Sequence, residues 1–330
     1  MNPNEIYNVI GTAFQLLQNG QASRAEFELG HLLVRNPGNA MVLTALADLN
    51  YQTLRMKDAI AFTDKANSML LNETLDEALY VSKMLRCIGE DEQAMALPRK
   101  YADAIDVSPL QSAMLAIHFL NLDLIDESLV QFEKADEREL GDHGIAMHGI
   151  ARLYGGDVEG AKKRFLDALA INPGNSNAAL QLAMLNVPDG REDRLSIWEV
   201  MCQKPISQAD RSQLHFALFH EYDANGAVRD AYRSVETANA IRLTAQPYDT
   251  AMETGLVDDY LSQLAGMDFS QDMAINNDAA TQVFIVGLPR TGTTLLEKSL
   301  TSLADVQAVG EHLNFRKSIE RQLGRVFTSP

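Results

Sequence analysis

The sequence predicts a mainly α-helical fold: a superhelix of stacked helical hairpins, followed near the C-terminus by a short strand–loop–helix segment of another architecture. Three observations carry this reading. The stretch "RNPGN" at 35–39 recurs as "INPGN" at 171–175, with Pro37 and Pro173 136 residues apart, four periods of 34. Small residues recur in pairs twelve apart, as Ala13 and Ala25, Ala47 and Ala59, and Gly149 and Ala161. Finally, the β-branched and aromatic run "TQVFIVG" at 281–287 breaks the helical periodicity and leads into "LPRTGTTLLE".

A period of 34 belongs to tetratricopeptide repeats, helix–turn–helix units that bury their apolar faces on one another. The small pairs let the two helices of a unit approach closely. Seven residues further on, Leu32, Ala66 and Ala168 continue the inner face of each second helix. "SLVQFEKA" (Ser128, Phe132, Ala135) and "AKKRFLDALAINP" (Ala161, Phe165, Ala168) carry this second-helix pattern most clearly. The unit around Ala94 is weaker and its bounds are not legible. Five units fill roughly 4 to 175; a helical stretch follows "NVPDGRED", and 214–242 reads as one more repeat. There Phe219 stands where a small residue is usual, so local packing should differ. The predicted organisation is a solenoid at 1–243, a helical linker at 244–280 and an α/β segment at 281–330. The apolar periodicity is core, and no solenoid position is singled out for catalysis. A concave groove on such a stack suits a peptide or a neighbouring domain.

Composition narrows the function classes. Acidic residues outnumber basic ones 45 to 28, a formal net charge of −17. That sign repels nucleic-acid phosphates and anionic membranes. No apolar run is long enough for a bilayer span, and the N-terminus lacks the basic region of a secretory signal. Cys87 and Cys202 have no metal-ligand spacing and read as small apolar residues of a reducing, cytoplasmic protein.

The chemistry concentrates at 287–297. "TQVFIVG" reads as a short buried strand ending at Gly287, Gly292 permits a tight turn, and "TTLLEKSL" opens an amphipathic helix. In that context backbone N–H groups and a helix N-terminus converge on an anion, with Thr291, Thr293 and Thr294 adding hydroxyl donors. A nucleotide triphosphatase loop would place lysine where Thr293 stands. Here the cation comes earlier, as Arg290 within "PRTGTT".

The forward cation and consecutive threonines resemble the 5′-phosphosulfate loop of sulfotransferases, P-[KR]-[ST]-G-[ST]-[ST], matched at Pro289, Arg290, Thr291, Gly292, Thr293 and Thr294. Together with "FALFHEYDANG…AYRSVETANAIR" and "PYD", the chain resembles bacterial tetratricopeptide-repeat sulfotransferases, weakly in the generic repeats and specifically from about 214 to 312. The resemblance implies 3′-phosphoadenosine 5′-phosphosulfate as donor, a hydroxyl or amine as acceptor, and no metal. Arg290 and the loop N–H groups would stabilise charge on the leaving phosphate. The hydroxyl acceptor also needs a base. "VQAV" at 306–309 reads as a second short strand, and Glu311 in the following "GEH" matches the family's base, with His312 as the rival. Lys298 sits on the loop helix beside Glu297.

The family's further strands, its 3′-phosphate motif and its acceptor pocket find no room after Arg325, so the expectation is the opening of a sulfotransferase domain, inactive alone. Two other readings compete: a non-catalytic protein-binding scaffold with a vestigial loop, and a P-loop kinase or triphosphatase. Thr293 in place of lysine weighs against the last.

Overall fold

The computed structural model describes residues 3–70, 74–103, 107–245, 249–265, 283–287, 291–308 and 314–326. Among the described residues fourteen helices run to Ala245, twelve of them paired into six antiparallel hairpins. The first three pairs are α1 (Pro3–Gln18) with α2 (Ala22–Arg35), α3 (Ala40–Gln52) with α4 (Met56–Ser68), and α5 (Leu75–Ile88) with α6 (Asp91–Ala102). Next come α7 (Pro109–Asn121) with α8 (Ile125–Lys134), and α9 (Glu137–Tyr154) with α10 (Val158–Ile171). The last pair is α13 (Gln208–Ala224) with α14 (Val228–Ala245); before it, α11 (Ser176–Met184) and α12 (Arg191–Cys202) each pack on α13 rather than on one another. This is a tetratricopeptide-repeat superhelix, and the stretch that begins at 176 departs from the hairpin pattern, with α11 packed on α10 and α13.

The recurring "NPGN" has a local cause. Its last asparagine caps the next helix: Asn39 Oδ1 accepts from Val42 N at 3.0 Å, and Asn175 Oδ1 from Ala178 N at 2.9 Å. Such caps satisfy N–H groups that the helix start leaves without partners. Thr74 and Ser108 do the same for α5 and α7 through reciprocal capping boxes with Glu77 and Gln111.

A second repeat, not legible as a motif, runs through the hairpin turns. The residue between the two helices takes a left-handed backbone at Gly20, Leu54, Gly89, Asp123, Gly156, Asn186 and Gly226. In six of these turns the next N–H reaches back to the carbonyl five residues earlier, as in Arg55 N to Asn50 O at 2.8 Å and Asp157 N to Arg152 O at 2.9 Å. That is the Schellman closure, which requires positive φ. Glycine meets the demand without strain and Asp or Asn tolerate it. Leu54 (φ 63°) is the exception.

The small pairs are buried where expected. Ala13, Ala25, Ala47, Ala59 and Ala161 are sealed in the hairpins. At Gly149 an added Cβ would lie 2.6 and 2.8 Å from the buried Phe165 ring. The weak unit around Ala94 also has a physical explanation. Pro98 sits inside α6 and lacks the N–H that would bond the carbonyl of Ala94. Ser82, twelve residues before Ala94, supplies the missing donor across the hairpin, Oγ to Ala94 O at 2.6 Å. In the next hairpin the bond runs the other way, Ser128 Oγ of the second helix donating to Ala116 O of the first at 2.8 Å. In the last hairpin Phe219 is half-buried, and the corresponding bond moves to Ser212 Oγ and Ala238 O at 3.0 Å.

The chain forms two compact units, Met1–Tyr248 with Gly324–Pro330, and Asp249–Leu323. The second carries α15 (Thr250–Ala265), α16 (Thr293–Leu300) and α17 (Asn314–Leu323). Among the described residues there is no strand. The strands read at 281–287 and 306–309 carry no ladder at 283–287 and 306–308. Two short parallel strands bury too little to hold a sheet with both faces open.

Candidate functional site

The loop segment is built around two glycines. Val283–Gly287 runs without regular structure, with Phe284 71% and Val286 91% exposed. A Cβ at Gly287 would lie 2.8 Å from Thr291 Oγ1 and 3.2 Å from Thr293 Cγ2. The loop therefore closes on itself, and only glycine leaves room for the returning threonines. Gly292 (φ 93°) then precedes α16 as its N-cap and brings no side chain to cap the first turn. Glycine is the residue that enters this left-handed backbone freely.

This places Thr291, Gly292, Thr293 and Thr294 in one turn at a helix N-terminus, where the backbone carries partial positive charge. Thr293 is half-buried, and Thr291 and Thr294 are exposed. Hydroxyls and N–H groups so grouped suit an oxyanion. Pro289, Arg290, Glu311 and His312 lie outside the described residues. Lys298 is exposed in the last turn of α16. Among the described residues no group of three or more His, Cys, Asp or Glu side chains is arranged to hold a metal, and no helix is long and apolar enough to cross a membrane.

The solenoid holds buried polar groups that no motif announced. Glu221 of α13 is fully buried and accepts from Arg191 Nε at 2.7 Å and Arg194 Nε at 2.8 Å. Arg194 also donates to the carbonyls of Val187 and Asp189, both at 2.5 Å. This ion-pair cluster ties the α11–α12 connection to α13. His118 Nε2 lies 2.7 Å from Ser82 Oγ; since Ser82 already donates to Ala94, the imidazole is the donor there. Burial lowers the His118 pKa to about 4, consistent with that neutral form. His148, stacked on Phe132, is likewise held to about 4, first by burial and then by the Arg152 and Arg164 charges.

A cavity of about 480 Å³ opens between α12, α13 and α14, lined by Glu199, Cys202, His215, Tyr222 and Arg233 among others. His215 Nδ1 is buried there without a hydrogen-bond partner among the described residues, and burial lowers that imidazole's pKa. Tyr222 donates to Glu199 across its rim. These residues come from three helices with no shared spacing, so nothing in the linear sequence joins them. Cys202 is buried and its thiol pushed up to about 11, chiefly by burial, whereas Cys87 is half-buried.

No curated protein matches the chain. Among solved structures, it is similar to a tetratricopeptide repeat protein from Parabacteroides merdae, at 15% identity over 78% of this chain and 97% of that one, TM-score 0.46. It is also similar to the C-terminal part of a repeat protein from Cytophaga hutchinsonii, at 14% identity over 73% and 97%, TM-score 0.40. MamA is similar at 14% identity over 51% and 97%, TM-score 0.39. The model of the sulfotransferase family matches residues 282–328, the stretch that contains the threonine loop and α16, so this part of the chain is sulfotransferase-like.

Proposed function

We propose that the chain joins a protein-interaction solenoid to a donor-binding sulfotransferase segment that uses 3′-phosphoadenosine 5′-phosphosulfate. The carrying observation is the coincidence of the family match at 282–328 with the closed turn at Gly287, Thr291 and Thr293. In this reading the division is solenoid to about 243, linker to about 280, and transferase segment from 281. Pro289, Arg290, Thr291, Gly292, Thr293 and Thr294 hold the 5′-phosphosulfate. The donor supplies the activated sulfuryl group, and the protein's part is to bind and orient it. Arg290 and the first N–H groups of α16 offset charge growing on the departing phosphate oxygen. Glu311 takes the proton from the acceptor hydroxyl. The repeat groove presents a protein or peptide acceptor. No metal is required, because fixed N–H groups and arginine supply the positive field.

The test is nucleotide preference. Calorimetry should show 3′-phosphoadenosine 5′-phosphate binding more tightly than magnesium–ATP, and Arg290→Ala should weaken that binding by about 10- to 100-fold, as loss of one charge-assisted contact does. Equal or tighter binding of magnesium–ATP would sink the donor assignment. Measured in a longer chain that carries a whole transferase domain, Glu311→Gln should leave donor affinity unchanged and slow sulfuryl transfer by roughly 10²–10⁴-fold. A variant with normal turnover would move the base elsewhere.

A further inference from the structure

The solenoid carries a socket that a distant piece of the same chain fills. Val326 is 1% exposed and packs in one apolar cluster with Ala47 and Tyr51 of α3, Met56 and Ala59 of α4, and Met84 and Ile88 of α5. Its N–H donates to the carbonyl of Leu54 at 3.2 Å. Two residues earlier Gly324 turns with φ 73°, and a Cβ there would lie 2.5 Å from Lys57 Cε. The chain thus turns at a glycine against Lys57 and inserts the side chain of Val326 between the second and third hairpins.

The acceptor of that hydrogen bond is the anomaly in the turn series. The other left-handed turn residues are Gly, Asp or Asn, and only Leu54 carries a branched apolar side chain in that backbone. Its side chain is half-buried and packs on the same cluster as Val326. A leucine held at positive φ costs stability that a glycine would not, so its retention calls for a compensating contact. The tail provides one, with the Leu54 carbonyl meeting the Val326 N–H and its isobutyl group walling the socket.

We infer that the Leu54 turn is a docking site for the chain's own segment 324–326, a strap held on the second and third repeats of the solenoid's own unit. The unit Asp249–Leu323 lies in sequence between two stretches that both belong to the solenoid's unit. One valine and one backbone hydrogen bond would be a feeble site for a free peptide. Tethering supplies an effective concentration on the order of millimolar, and loop-closure cost grows only slowly with length. The site is therefore suited to an occupant in cis, and a partner presenting an apolar side chain to the same turn would release the strap.

The experiment uses the whole 330-residue chain and reads trypsin cleavage at the Arg325–Val326 bond by mass spectrometry, alongside amide exchange at Val326. Val326→Asp should accelerate cleavage there by about 10- to 100-fold, the equilibrium equivalent of one buried valine, while circular dichroism of the helices is unchanged. Val326→Ile should keep the protection. Leu54→Gly should relieve the turn and raise the melting temperature, yet speed the same cleavage. A synthetic peptide of 321–330 should compete only near millimolar concentration. An unprotected Val326 amide in the unaltered protein, or equal cleavage of Val326→Asp and the parent, would overturn the strap. Neither readout involves nucleotide, so the outcome is independent of the sulfotransferase reading.

Discussion

Phe165 in α10 and Leu295 in α16 are both large apolar side chains on amphipathic helices, yet the first is fully buried and the second is 73% exposed. The contrast extends to the regions around them. Every solenoid helix from α1 to α14 buries side chains, whereas α16 buries none. In the solenoid each hairpin packs on its neighbours, so a face written into one helix is met by the face of the next. The loop segment follows another logic. Its order is local, made by Gly287 giving way to Thr291 and Thr293 and by Gly292 opening α16. A solenoid side chain is therefore held by residues tens of positions away, and a loop side chain by residues within about one turn. Substitutions should separate the two regimes.

The largest separation should come from the buried ion-pair cluster. Arg194→Ala would leave Glu221 with a single guanidinium partner and strip the carbonyls of Val187 and Asp189 of their donor. Breaking a buried pair from one side costs about 3–5 kcal/mol, because the remaining charge stays desolvated. Denaturant unfolding followed by helix circular dichroism should show this loss. A change below about 1 kcal/mol would mean that water reaches Glu221 and that the cluster is a surface feature.

How much of this was legible in the sequence follows the same divide. The repeat period, the Asn39 and Asn175 caps and the small pairs at Ala47–Ala59 and Gly149–Ala161 are written locally, and the structure has them. The Ala94 unit was obscured because Pro98 breaks the helical pattern, and its remedy, Ser82, lies on the opposite helix. The left-handed turn series is not legible as a motif because Leu54, Asp123 and Asn186 stand where glycine would signal it. The Glu221 cluster and the Val326 socket depend on separations of 27 to 30 residues in one case and some 270 in the other, which no motif spans. The loop was legible as a motif because strand end, glycines and threonines are consecutive. The strands expected at 281–287 and 306–309 do not appear among the described residues, since β-branched composition states a preference and only a partner makes a ladder.

Acid should weaken the solenoid selectively. His118 and His148 are both held near pKa 4 when folded, against about 6.5 when unfolded. Between those values the unfolded chain binds protons that the folded chain refuses, so stability rises with pH across that window and is lost on going from pH 6.5 toward 4. Above about 6.5 these two histidines contribute no further slope. His118→Gln keeps a donor toward Ser82 and removes one titration, so it should flatten the pH dependence of the melting temperature between pH 5 and 6.5, above the usual carboxylate range. An unchanged slope would assign the effect to His148, whose Phe132 stacking the substitution leaves intact.

The smallest effect should fall on the loop helix, and its smallness is the informative part. Leu295→Ala in α16 removes a side chain that is 73% exposed and buries nothing within its helix. Core leucines lose about 2–5 kcal/mol on truncation because a cavity remains, whereas exposed positions stay within about 0.5 kcal/mol. Alanine is also the better helix former, which pushes the change toward zero or slight stabilisation. The matched control is Leu182→Ala in α11, a fully buried leucine in the core built from the fourth and fifth hairpins and α11. Measured side by side, Leu182→Ala should lower the unfolding midpoint clearly and Leu295→Ala should leave it in place. A large loss at Leu295 would show that α16 has an apolar neighbour in solution. The loop would then be held, like the repeats, by packing at a distance, and the contrast between the two regions would collapse.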